Sequence, residues 1–102
     1  MDQLAHEYQR FEDAGVGLVI LSVDSIKRER QMADSCTHRP SFPILSDIDH
    51  DTTVAYNVFQ SGIAIPSTFL IDRHGVVRWV YLGSNPSDRP LIDQLLKPVA
   101  LV

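Results

Sequence analysis

The chain has 102 residues, 44% of them hydrophobic, and a net charge of −4, which suits one α/β domain with a thin core. With no cluster of Lys and Arg, nucleic-acid binding is not expected. Apolar runs near residues 16–23 and 76–82 are too short to span a membrane, no basic stretch followed by an apolar one marks a secretory signal, and the single cysteine, Cys36, excludes an intrachain disulfide and points to a reducing cytoplasm.

Residues 2 to 14 read as a helix. Leu4, Tyr8 and Phe11 fall on one face, and Gly15 is placed to end it in a left-handed conformation. Gly17 to Val23 is a continuous β-prone run, as in a parallel strand covered on both faces. Asp24 or Ser25 can cap a helix over 26–37. Its apolar stripe is Ile26, Met32, Ala33 and Cys36, and the Arg39-Pro40-Ser41-Phe42-Pro43 segment breaks it. A short extended piece over Phe42–Leu45 follows. Asp47, Asp49 and Asp51 precede a short helix near Thr52–Tyr56, where acidic groups suit the positive end of the helix dipole.

Ile63 to Asp72 reads as one strand. Asp72-Arg73-His74-Gly75 turns it into a hairpin with Val76–Leu82. Asn85-Pro86-Ser87-Asp88 opens a last helix over 89–97, with Leu91, Ile92, Leu95 and Leu96 inward and Pro98 stopping it. A hairpin after a helix–strand–helix unit predicts a mixed sheet with helices on both faces.

That order, with Pro66 directly before the first hairpin strand, resembles the thioredoxin fold. Val19 to Ser25, Phe42-Pro43-Ile44-Leu45-Ser46-Asp47, Ala55-Tyr56-Asn57-Val58, Pro66 to Asp72 and Gly75-Val76-Val77 stand in the order of a peroxiredoxin. Together they are similar to the alkyl hydroperoxide reductase and thiol-specific antioxidant family, and within it to the bacterioferritin-comigratory type. The resemblance implies thiol-dependent reduction of hydroperoxides, a thiol donor such as thioredoxin, and no cofactor. It also implies a reacting cysteine at the head of the helix before the Val19–Val23 strand, preceded by a further strand. Residues 2 to 14 hold no cysteine. The expectation is therefore a single redoxin domain over residues 1–102, thioredoxin-like and incomplete at its N-terminus, without activity on its own. The strands at 17–23 and 67–72 would then each keep an unpaired edge, to be met by different pairing, by a homodimer or by strand exchange.

Cys36, six residues before Phe42, is the candidate resolving cysteine under this resemblance; as a residue it also reads as a small hydrophobe on the helix stripe. Pro66, Ser67 and Thr68 form the expected site scaffold, with a cis bond before Pro66 and Thr68 facing inward. Many family members carry arginine just after this proline, where this chain has Ser67. That departure leaves open a thiol:disulfide oxidoreductase, and the open strand edge leaves open a non-catalytic dimerisation or binding module. His6, His38, His50 and His74 lack metal-ligand spacing. The three aspartates at 47, 49 and 51 imitate a calcium loop without its glycine and terminal glutamate, which favours capping.

Overall fold

The computed structural model describes residues 2–37, 39–85 and 87–101. They form two compact units, Met1–Asn57 and Val58–Val102. Among the described residues no helix is long and apolar enough to cross a membrane.

In the first unit, helix α1 spans Asp2–Asp13. It closes as its sequence predicts. Gly15 takes φ +77°, its N–H reaches the Glu12 carbonyl at 2.9 Å, and the Val16 N–H reaches the Phe11 carbonyl at 3.0 Å. These two bonds are the paired closure that a left-handed glycine permits. Phe11 is buried, and Tyr8 meets Phe42 edge-on with ring centroids 5.2 Å apart, which brings α1 against the segment before the second strand.

Strand β1, Ile20–Ser22, is shorter than the predicted run from 17 to 23. It pairs in parallel with β2, Ile44–Ser46, in the register Ile20↔Ile44 to Ser22↔Ser46. Helix α2, Ile26–Ser35, joins them; Ser25 is its cap and accepts from the Arg28 N–H at 3.2 Å. The inward side of α2 differs from the predicted stripe. Glu29 and Ala33 are buried, whereas Ile26 is 60% exposed. The hydroxyl of Ser22 on β1 donates to the Glu29 carboxylate at 2.6 Å. With that bond made, a carboxyl group, not the isoleucine, faces the strand.

Helix α3, Asp51–Ala55, follows a turn in which His50 adopts φ +65°. Its cap comes from further back. The Asp47 carboxylate accepts the Thr53 N–H at 2.7 Å and the Thr52 N–H at 3.1 Å. The Thr53 amide, ahead of that of Thr52, holds the Asp47 carboxyl below its ordinary value.

The second unit begins with a hairpin that the single strand expected over Ile63–Asp72 did not include, and that strand is itself divided in two. Strands β3, Phe59–Gln60, and β4, Ile63–Ala64, are antiparallel. Ser61 at φ +52° and Gly62 at φ +79° form the two-residue turn between them. Proline has no N–H for a ladder, so β5 starts only at Ser67 and runs to Ile71. It pairs antiparallel with β6, Val77–Leu82. The connecting turn is held by Asp72, whose carboxylate accepts the N–H groups of His74 and Val76 at 2.8 and 3.0 Å, and by Gly75 at φ +81°. A register shift moves the partner of Ile71 to Val77 after Leu70↔Trp79. The strict alternation expected along 76–82 therefore breaks at Arg78.

Helix α4, Ile92–Leu96, starts three residues later than expected. Pro90 disfavours helical backbone at Arg89. The Gln94 side chain accepts the Leu91 N–H at 2.8 Å, and only Ile92 of the predicted apolar face is fully buried. The α-helix ends at Leu96, before Pro98 as expected, and the chain continues as a 3₁₀ turn over Lys97–Leu101.

Candidate functional site

The expected site lies where β4 passes into β5. The Ile65 N–H donates to the Val58 carbonyl at 2.7 Å, and the Pro66 carbonyl accepts the Gly83 N–H at 2.8 Å. These bonds hold an extended path through Pro66. The cis bond expected there is absent, for among the described residues no peptide bond is cis. The trans form is the intrinsically favoured one before proline, by about 0.5–1 kcal/mol, and both backbone bonds are made with it.

Ser67 donates its hydroxyl to the Ile65 carbonyl at 3.1 Å, and stands opposite Leu82. Thr68 stands opposite Tyr81, and alternation places it on one face with Leu70, Trp79 and Tyr81. All three scaffold residues are half-buried. A shallow cleft beside Pro66 is lined by Gln60, Ser61, Ile63, Ile65, Ser84 and Asn85, with no charged side chain among them.

Sequence reading missed the clasp that closes over this edge. Gly83 is buried, and a Cβ there would lie 2.6 Å from the Asp88 carbonyl oxygen and 2.7 Å from that of Pro66. The loop folds back on itself through Asp88. Its carboxylate accepts the Ser84 N–H at 2.7 Å, the Ser84 hydroxyl at 2.9 Å and the Tyr81 hydroxyl at 2.8 Å. The Ser84 amide, then the Tyr81 hydroxyl, lowers the Asp88 pKa. The same hydrogen bond to Asp88, with partial burial, raises that of Tyr81. The Gly-Ser-Asn run at 83–85 signalled a turn, but nothing in it signalled that Pro66 would be its floor.

Cys36 belongs to the first unit, at the C-terminal cap of α2. It is a half-buried free thiol, and its Sγ donates to the Met32 carbonyl oxygen at 3.4 Å. Of the histidines, His6 and His74 are exposed and His50 is half-buried, while His38 lies outside the described residues. Among the described residues no group of His, Cys, Asp or Glu is arranged to hold a metal ion.

The sequence pattern of the AhpC/TSA family matches residues 1–80. Peroxiredoxin 2 of Thermoplasma acidophilum is 30% identical over 98 residues, covering 90% of this chain and 49% of the relative. Alkyl hydroperoxide reductase C of Pseudomonas aeruginosa is 26% identical over 101 residues, covering 95% and 54%. The chain thus spans about half the length of the curated relatives it matches. Among solved structures, the mitochondrial 2-Cys peroxiredoxin of Plasmodium falciparum superposes with a TM-score of 0.87 at 24% identity, over 98% of this chain and 62% of that one. AhpC of Mycobacterium tuberculosis gives 0.83 at 22%, over 97% and 59%. The fold is the thioredoxin-like one that the order of elements predicted, and the chain belongs to the AhpC/TSA family of peroxiredoxin-like redoxins.

Proposed function

We propose that this chain is the scaffold of a thiol-dependent hydroperoxide-reducing domain and that it does not turn over peroxide by itself. The observation that carries this reading is the contrast between its two parts. The Pro66–Thr68 edge is held by backbone bonds and closed by the Gly83–Asp88 clasp, whereas the one thiol of the chain donates to a carbonyl at the end of a helix. The nucleophile in peroxide reduction is a thiolate, and a carbonyl oxygen cannot stabilise one. In the reaction the thiolate sulfur attacks the O–O bond of R–OOH and becomes a sulfenic acid, while the departing oxygen takes a proton and leaves as R–OH. A second thiol then condenses with the sulfenic acid, releasing water and forming a disulfide, and a donor such as thioredoxin reduces it.

In this reading the attacking thiol is supplied to the scaffold from outside the 102 residues, and Pro66, Ser67 and Thr68 form the wall it faces. Cys36 takes the resolving role, for which its half-exposed Sγ needs to leave only one weak bond. The scaffold works as a homodimer in the cytoplasm, where thiols stay reduced. The test is peroxide consumption with thioredoxin as donor. The chain alone is expected to show no rate above background, unchanged in Cys36→Ser. A fusion that adds a strand and a Thr-x-x-Cys helix turn before Leu4 is expected to gain turnover. Catalysis by the unfused chain that Cys36→Ser abolishes overturns the reading, as does a folded fusion that stays inactive.

A further inference from the structure

A groove lies in the first unit, between α2 and β2. Ile26, Ala33, Phe42 and Ile44 make its apolar walls, and Glu29 lines it from α2. Glu29 is only 5% exposed. Among the described residues its carboxylate accepts the Ser22 hydroxyl and forms no ion pair. Among the described residues no buried side-chain oxygen lacks a partner, so the Glu29 oxygen that Ser22 leaves is open at the groove, where a cation can complete the carboxylate.

We propose that this groove receives the lysine side chain of a partner polypeptide, with the ammonium on Glu29 and the aliphatic stem along Ile26, Phe42 and Ile44. A lysine fits better than an arginine. One Glu29 oxygen is already engaged by Ser22, so the two-pronged bonding that favours a guanidinium is not on offer, while a point donor needs only the other oxygen. The stem matches the apolar walls. A polypeptide fits better than a free amine, because Ile26 and Leu45 on the same groove are 60% and 50% exposed and a single alkyl chain would leave them uncovered. Arg30 and Arg39 also line the groove. Arg39 is tied to Asp34, and the exposed Arg30 disfavours a second positive charge. The partner segment therefore presents one lysine among apolar or acidic neighbours and is not a polybasic stretch.

The test follows backbone amide signals of Ala33, Ile44 and Ser46 in the full chain by NMR. The probes are N-acetyl-lysine-N-methylamide and its uncharged counterpart, N-acetyl-norleucine-N-methylamide. The lysine probe is expected to shift these signals saturably and to bind about tenfold tighter than norleucine, the scale of one charge-assisted hydrogen bond. Glu29→Gln, which keeps a partner for Ser22, is expected to bring lysine down to the norleucine level and leave norleucine unchanged. The wild-type comparison of the two probes needs no variant, so it decides the matter even where Glu29→Gln fails to fold. Equal affinities, or no saturable shift with lysine, overturn the proposal. So do shifts at these residues that depend only on protein concentration, because a second copy would then be the occupant.

Discussion

Replacing Gly83 by alanine tests whether the clasp on Pro66 holds the second unit together. The two atoms that a new Cβ would meet, at 2.6 and 2.7 Å, are backbone carbonyl oxygens of Asp88 and Pro66, so no flexible side chain can swing aside. An ordinary carbon–oxygen contact is about 3.3–3.6 Å. Both carbonyls must therefore retreat by more than half an ångström, and the nearer relief is to break the 2.8 Å bond between the Gly83 N–H and Pro66. Leaving a buried backbone group unpaired costs about 1–3 kcal/mol, and overpacking adds about 1–3 kcal/mol. The expected loss is about 2–6 kcal/mol, a large share of the roughly 5–15 kcal/mol that holds an ordinary domain folded. Urea and thermal unfolding read it directly. At about 4–8 °C per kcal/mol for a chain of this size, the midpoint should fall by about 10 °C or more. Gly17→Ala is the control. Nothing lies within 4 Å of its Cβ position, so it is expected to be neutral or mildly stabilising, by up to about 1 kcal/mol. If Gly83→Ala unfolds within about 0.5 kcal/mol of wild type, the range of an indifferent surface change, the clasp does not hold Pro66 as described.

Phe42→Ala empties the buried position against which Tyr8 packs and should cost about 3–5 kcal/mol in urea unfolding; a loss under 1 kcal/mol would show that α1 is not seated there. Ser25→Ala removes the side-chain cap of α2 and should cost about 1 kcal/mol by the same measurement. Asp47 and Asp88 both have folded-state pKa values below their ordinary one, so the stability each contributes is fully present above the unfolded value of about 3.9 and is lost as pH falls through the lower folded value. The acid limb of stability below about pH 4 should therefore flatten in Asp47→Asn and again in Asp88→Asn; an unchanged limb in both would mean that neither carboxylate is held by the amides described.

Where a local signal and its partner lay close together, the chain was legible. Gly15 ends α1 because the two carbonyls it helps to satisfy are only a few residues back, and Asp72 and Gly75 form their turn alone. Ser25 was one of two named caps. The family was readable for a different reason: five short motifs in fixed order, none decisive singly, match a pattern that covers residues 1–80. The Ser61-Gly62 turn was present as a dipeptide signal but was masked by the β-prone residues after it. Hydrophobicity alone ranks Ile26 above Glu29 on the inward face of α2, and the partner that Glu29 finds there, the Ser22 hydroxyl, belongs to another element.

Fold class, family and the lack of any thiol besides Cys36 within these residues are legible from the residues alone. These follow from composition, turn residues and motif order, all of which are local. Tertiary structure decided the rest. Neither the trans path through Pro66 nor the closure of Gly83 on it is a local property, because both depend on carbonyls brought together from segments about twenty residues apart. The same holds for Glu29. Burial of its carboxylate is invisible in a helical pattern and arises only when β1 packs against α2 and meets it with the Ser22 hydroxyl.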